Sequence, residues 1–408
     1  MDVIYISYDG MTDSLGQSQV IPYLIGLTKK DHSITIVSSE KKENYKKQKN
    51  AIEKLLKEHH ISWIPTMYST LPSIFSKQIN LLRIELEVKR LCIIKTPDII
   101  HCRSYMAALI GLKMKKKYHV KFVFDMRGFW ADERVDGRLW NLNNGLHKRI
   151  YNYFKKKETE FITNADYTIS LTQNAKNEIL DWPEIENKSP IEVIPCCVDL
   201  ELFSPDNVKL QKQDLLRNEL KITPSDFIIS YLGSIGTWYM LDEMLDFFKV
   251  LLSRKNNAKF LIITPDNHSP IMIKVKNKGI RPEKIIIHSA NRIEVPLFLS
   301  LSQLSLYFIK PLYSKKASSP TKTGEIMAMG IPIISNSGIG DSDEILTTSG
   351  AGLLVNEFSD KEYDRVIREI DVLLKADTTK IRAAAQYYFS LEKGVELYND
   401  VYKKLKSE

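Results

Sequence analysis

The sequence contains no run of eighteen apolar residues, so no segment reads as a membrane-crossing helix. Cysteine is scarce: Cys92, Cys102, Cys196 and Cys197 are the four in 408 residues, and none is spaced C-x-x-C. A zinc ribbon or disulfide framework is not expected, and a reducing cytoplasm fits better. There is no G-x-G-x-x-G, which argues against a dinucleotide cofactor. The absence of H-E-x-x-H and G-x-S-x-G argues against a zinc peptidase and a serine hydrolase. The segment Met1-Asp2-Val3-Ile4-Tyr5-Ile6 reads as a buried strand without a basic leader, so no signal peptide is expected and the location read is cytoplasmic. Asp341-Ser342-Asp343 has the look of a D-x-D metal pair. It follows Gly338-Ile339-Gly340, however, and reads as a helix cap, so no metal is expected.

What is present is a 43% hydrophobic, 26% charged chain, long enough for two domains of similar size. Short β-branched runs at 3–7, 33–38, 61–65, 98–102, 121–125, 167–171 and 192–195 read as strands. Helical patterns at 17–29, 44–59, 78–94 and 148–165 lie between them. The alternation pauses near 195–205 and restarts with strands at 227–232, 259–264, 284–288, 304–309, 332–335 and 352–355, and a helix at 238–252. The expected fold class is α/β: two Rossmann-like, doubly wound domains, 1–198 and 199–388, facing a central cleft. In such sheets ligands sit beyond the C-terminal ends of the strands, so the loops there are the places to look.

Charge is uneven. Residues 1–180 carry 29 Lys+Arg against 19 Asp+Glu, and the remainder 29 against 31. Clusters lie at 41–49, 113–117 and 155–157. They read either as solvated helix faces or as a surface for anionic lipid or an acidic acceptor. Nucleic acid is not expected, because the runs lack interleaved aromatics and no binding module is present.

The strongest motif is Ser319-Pro320-Thr321-Lys322-Thr323-Gly324-Glu325, followed by Gly330 and Pro332. Ser319 reads as the N-cap, Pro320 as the first helical residue and Gly330 as the C′ glycine. A helix tip with free amides favours an anion; Lys322 adds a cation and Glu325 a carboxylate on the same face. That combination suits a nucleotide sugar, with the diphosphate at the tip and ribose hydroxyls on Glu325. A capped helix with a surface Lys–Glu pair is the alternative from spacing alone. Gly233-Ser234-Ile235-Gly236-Thr237-Trp238-Tyr239 is a glycine turn after a strand, suited to a phosphate or simply to a tight connection. The polar loop from Ser7 to Gln19 includes Gly10 and Gly16. Asp125-Met126-Arg127-Gly128-Phe129-Trp130-Ala131-Asp132-Glu133-Arg134 crowds charge and aromatic surface into one loop, suited to a polar substrate or to a structural ion network. His101 and Arg103 end the preceding strand and reach towards the same region.

Taken together, these residues resemble glycosyltransferase family 4, the retaining GT-B group, over essentially the full length. The resemblance rests on Ser7-Tyr8-Asp9-Gly10 with Leu15-Gly16-Gln17, on Asp98-Ile99-Ile100-His101, and on Ala165-Asp166-Tyr167. It continues through Val193-Ile194-Pro195, Tyr231-Leu232-Gly233-Ser234, and Pro320 and Lys322 with Glu325-Ile326-Met327-Ala328-Met329-Gly330. It implies metal-independent sugar transfer with retention, a first domain for the acceptor, a second for the donor, and a last helix (389–408) packing back on the first domain. It implies no cofactor beyond the nucleotide-sugar co-substrate, with a UDP-sugar as default and GDP- or CMP-sugars open. Donor contacts are then expected from Gly16, Gly233, Ser234, Ser319, Pro320, Thr321, Lys322 and Glu325. Catalytic contacts are expected from Asp125, Arg127, His101 and Lys322, and acceptor contacts from Arg103, Trp130 and Glu133. The expected acceptor is a saccharide or lipid-linked saccharide of bacterial surface-glycan assembly, with the basic first domain meeting anionic membrane at its inner face. Two departures stand out. Ala317 replaces a common glutamate, and the Gly233 loop lacks the usual cations, which leaves Lys322 to supply the charge. A nucleotide-sugar epimerase and a catalytically silent partner subunit are the rival readings.

Overall fold

A computed structural model describes residues 1–69 and 73–407 of the chain. The chain forms two compact units. One is Met1–Pro195 together with the last helix, and the other is Cys196–Ser390.

In the first unit β1 (Asp2–Ser7), β2 (Ser33–Glu40), β3 (Ser62–Met67), β4 (Ile99–Arg103), β5 (Lys121–Asp125), β6 (Tyr167–Ser170) and β7 (Ile191–Val193) form one sheet in the order β3-β2-β1-β4-β5-β6-β7. In the second, β8 (Phe227–Leu232), β9 (Ala258–Ile263), β10 (Ile285–His288), β11 (Leu304–Tyr307), β12 (Ile333–Asn336) and β13 (Gly352–Val355) are ordered β10-β9-β8-β11-β12-β13. All these pairings are parallel. Parallel strands are covered on both faces, which is why Val3-Ile4-Tyr5-Ile6 and Ile228-Ile229-Ser230-Tyr231 are continuous apolar-rich runs rather than alternating ones. Both sheets are therefore doubly wound, as the sequence pattern predicts.

Each strand order reverses once. The reversal falls between β1 and β4 in the first unit and between β8 and β11 in the second. A crevice opens at such a point beyond the carboxyl ends of the strands. The loops singled out in the sequence follow β1, β4, β5, β8 and β11, so the topology places them at or next to the two switch points.

Two predicted helices differ in the structure. The 17–29 helix is two helices, Ser14–Gln19 and Ile21–Thr28, broken at Val20, where Pro22 begins a new first turn. The helix expected from residue 238 starts at Leu241, as Leu241–Arg254. Tyr239 is instead drawn into an antiparallel bridge with Ile309, which keeps residues 234–240 as a loop.

The helix Leu391–Ser407 belongs to the first unit. Its Tyr402 hydroxyl lies 2.6 Å from His101 Nδ1, and Tyr398 donates to Asp125 Oδ2 at 3.1 Å. Asn399 Oδ1 is 3.0 Å from His32 Nε2, and Val395 packs where a side chain on Gly26 would stand.

Candidate active site

In the second unit the helix Thr321–Ala328 follows β11. Its C-terminus ends as read from the sequence: Gly330 has φ +71°, its N–H donates to Met327 O, and the Ile331 N–H donates to Ile326 O. The N-terminus differs by one residue. Pro320 occupies the N-cap and Thr321 begins the helix. Ser319 does not cap it; its hydroxyl accepts from the Cys196 N–H at 3.1 Å. Among the described residues no side chain caps this helix, and free amides at such an N-terminus favour an anion.

Lys322 is 7% exposed, and among the described residues its amino group meets no carboxylate in ion-pair range. It lies over the rings of Tyr239 (3.7 Å to the centroid), Tyr231 (4.4 Å) and Tyr307 (5.7 Å), and donates to the Tyr231 hydroxyl at 3.3 Å. Burial lowers its pKa to about 7, against a smaller upward pull from Glu325. Burial also raises the three tyrosines, Tyr239 to about 12, so all three rings stay neutral. Gly233 has φ +119°, and a Cβ built there would stand 2.9 Å from Lys322 Nζ. The glycine turn and the lysine thus meet across the β8/β11 switch point, which brings a cation to a loop that has none of its own.

Glu325 is buried, but not against Lys322. It accepts from Arg292 Nη1 at 2.7 Å, and the Arg292 guanidinium sits 5.3 Å from the centre of the Phe203 ring. The surface Lys–Glu pair considered from spacing is therefore not what forms. In the loop after β8, Ser234 accepts from Tyr231 through its carbonyl at 2.6 Å, and Asp266 holds the Ile235 N–H. Ala317 is buried within the turn Tyr313–Ala317, where Lys315 places its amino group 3.7 Å from the centre of the Trp238 ring. Asp341 stands at the N-cap of the helix Ser342–Thr348 but makes no side-chain capping bond, and Asp343, inside the helix, accepts from the Gly338 N–H of the preceding loop through both oxygens rather than capping the helix.

In the first unit the loop after β1 is held by Glu40, the last residue of β2. Its fully buried carboxylate accepts from the Met11 N–H (2.7 Å), the Thr12 N–H (3.1 Å) and the hydroxyls of Thr12 (2.5 Å) and Ser38 (2.6 Å). Gly16 packs on this loop. A Cβ there would collide with the Gly10 carbonyl and lie 2.7 Å from Met11 Cα.

At the ends of β4 and β5 the structure gathers His101, Arg103, Asp125 and Arg127. His101 Nε2 lies 3.5 Å from Asp125 Oδ2, Arg127 Nη1 3.9 Å from Asp125 Oδ1, and Arg103 Nε 3.9 Å from Asp9. Burial pushes the Asp125 carboxyl up, but Arg127 and His101 beside it more than offset that and leave it below the usual carboxylate value. Arg127 and Ser104 both adopt left-handed backbone (φ 59° and 65°), which concentrates strain in the two loops. Trp130 lies among other rings, stacked on Tyr105 at 5.7 Å and edge-on to Trp140 and Phe154, with Arg134 4.9 Å above it. Glu133 is half-buried in the same short helix, Trp130–Asp136.

The sequence reading missed four participants: Glu40, Arg292, Tyr239 and Lys315. None carries a local motif. Tyr239 was visible only as a loop aromatic, and the others contact residues far away in the chain.

A family model described as Glycosyltransferase Family 4 matches residues 20–202, and one described as Glycosyl transferases group 1 matches residues 212–385. No curated protein matches the chain. Among solved structures the chain resembles a sucrose-phosphate synthase from Thermosynechococcus elongatus (TM-score 0.75, 13% identity, covering 100% of this chain and 99% of that one). It also resembles Anabaena HepE in complex with UDP and glucose (0.72, 12%, 100% and 100%) and a glycosyltransferase from Rickettsia africae (0.70, 17%, 99% and 98%).

Proposed function

We propose a reaction for a chain that belongs to family 4 of the glycosyltransferases, the group 1 enzymes. Its fold is GT-B, and its activity is sugar transfer. The donor in our reading is a nucleotide sugar bound by the second unit. The observation that carries this is Lys322: a buried amine with no carboxylate partner among the described residues, at the tip of an uncapped helix and against a glycine turn. A cation kept there without a counterion stabilises a diphosphate. Glu325, held by Arg292, is placed to accept ribose hydroxyls. A UDP-sugar is the donor we favour; the bound UDP and glucose of the Anabaena protein support it.

In the proposed step the bond between the anomeric carbon and the diphosphate oxygen breaks, and a bond to the acceptor oxygen forms on the same face. The acceptor proton passes to the leaving phosphate. Lys322 and the amides of Thr321 and Lys322 take up the developing charge, so the step needs no metal and no carboxylate nucleophile. Acceptor contacts are assigned to Arg103, Arg127, Trp130 and Glu133 of the first unit. Asp125 holds Arg127 and is itself backed by His101, while Tyr398 and Tyr402 bind Asp125 and His101 from the last helix.

The acceptor we favour is a lipid-linked saccharide met at an anionic membrane. From 137 to 157 there is no Asp or Glu, while Arg138, Lys148, Arg149 and Lys156 are exposed beside exposed Leu139, Leu142, Leu146 and Tyr153. Apolar side chains ringed by cations suit an anionic lipid surface.

A thermal-shift panel of UDP, GDP, ADP, dTDP and CMP tests the donor assignment. One base should stand out, and stabilisation should vanish in Lys322→Ala. Unchanged donor KM and turnover in that variant would remove Lys322 from the site. Product formed from donor alone, without acceptor, would favour an epimerase. Flotation with phosphatidylglycerol vesicles should be salt-sensitive and lost in Leu139→Ser/Leu146→Ser; binding equal to that on phosphatidylcholine removes the membrane part.

A further inference from the structure

We infer that Tyr239 and Tyr231 are positioning residues that hold the Lys322 amino group over Gly233 as a neutral aromatic cage until an anion takes it; this rests on the reading of Lys322 as the diphosphate receptor. A lysine has a flexible four-carbon stem and a strongly hydrated head. Burying that head without a counterion is unfavourable unless other groups replace its water. Here the replacements are π faces and one hydroxyl. Tyr239 lies 3.7 Å from Nζ, well inside the range of a desolvated cation–π contact. Tyr231 adds its ring at 4.4 Å and its hydroxyl at 3.3 Å.

The two tyrosines also tie the lysine to its surroundings. The Tyr231 hydroxyl donates to Ser234 O at 2.6 Å, so its lone pair faces the amine while its proton fixes the Gly233 loop. Tyr239 bridges to Ile309; beside it the Met240 N–H donates to Phe308 O and the Lys310 N–H to Trp238 O. The loop after β8 is therefore laced to the segment that leads into the Lys322 helix. A third ring, Tyr307 of β11, sits behind, its hydroxyl 2.7 Å from Thr323 Oγ1. Asp343, near Tyr307, is taken by the Gly338 N–H, and the Cys196 thiol lies near Tyr239. Glu325 is taken by Arg292, and Asp266, near Tyr231, is taken by the Ile235 N–H.

Neutrality matters for function. A carboxylate in place of Tyr239 would hold the amine more tightly and repel the diphosphate. An aromatic cage keeps the amine in position yet yields it to a phosphate, whose attraction is stronger. The cage also favours the charged amine over the neutral one, against burial, which has already brought it to about 7. Removing a π face from an otherwise apolar pocket should therefore make the amine give up its proton at lower pH.

The test is calorimetric titration of UDP into the full-length chain, in two buffers of different ionisation enthalpy, across pH 6 to 9. Tyr239→Phe should keep the wild-type Kd and proton uptake. Tyr239→Leu should move the onset of proton uptake about one pH unit lower, and through that weaken binding about tenfold above pH 7 with a smaller loss at pH 6, since one cation–π contact to the charged amine is worth about one pKa unit. Tyr231→Phe keeps its ring but loses the hydroxyl, so it should give a smaller loss and the same direction of shift. This variant carries the test if Tyr239→Leu does not fold. The inference is overturned if these variants bind UDP with wild-type Kd and proton uptake while Lys322→Ala loses binding. If Lys322→Ala also binds normally, the donor-site reading itself has failed.

Discussion

Lys322 owes its chemistry to burial, and burial has a measurable sign. Unfolded, its amine titrates near 10.5; folded, near 7. Between those values the unfolded chain holds a proton that the folded chain has released, so stability rises with pH across that window and is flat below it. Urea unfolding from pH 7 to 10 should show this rise in the wild type but not in Lys322→Met. A bound diphosphate favours the protonated amine, so UDP affinity should be flat below pH 7 and weaken above it, up to tenfold per pH unit. The Met variant should show a flat, weak profile. Glu325 makes a second residue-scale case. Glu325→Gln loses charge but keeps shape, so we expect it to raise donor KM about tenfold or more, since hydrogen bonds to charged groups contribute about 1.5–3 kcal/mol. An unchanged KM would mean that the carboxylate serves Arg292 alone.

The helix Thr321–Ala328 shows what an element's ends reveal. Its stop was legible because Gly330 and Pro332 act through their own backbones, whatever the surroundings. Its start was misread by one residue, because Ser319 found a better partner in the distant Cys196 amide. Gly330→Ala should destabilise the chain by about 1 kcal/mol, from the left-handed backbone and the nearby Thr378 (3.2 Å from a Cβ built there), with donor KM little changed. The loop after β1 depends on a side chain that no local pattern marks. Glu40→Ala leaves the Met11 and Thr12 amides without their acceptor, at about 1–3 kcal/mol for each buried group left unpaired. Faster amide exchange at Met11 and Thr12 would check it; unchanged exchange would show that the loop has another support.

At the scale of the whole molecule, the chain returns to its first unit after completing its second. Tyr398, Asn399 and Tyr402 of the last helix satisfy Asp125, His32 and His101, all buried. Truncation before Leu391 takes a hydrogen-bond partner from each of these three buried groups and uncovers apolar surface around Gly26. We expect the first unit to become protease-sensitive while UDP still protects the second. Equal protection of both units in the truncated chain would overturn this.

Strand positions, the doubly wound class of each unit and the C-terminal stop of the helix Thr321–Ala328 were determined by the sequence itself, through β-branched runs and the conformational limits of Pro and Gly. Those signals are local, and a neighbour rarely overrides them. The partners of charged side chains were decided only by the tertiary structure. Lys322 met tyrosines instead of Glu325, Glu325 met Arg292, and His101 and Asp125 turned towards the last helix. The reason is physical: a charge takes whichever partner the folded chain brings within a few ångströms, and sequence spacing constrains that only within one helix or one turn.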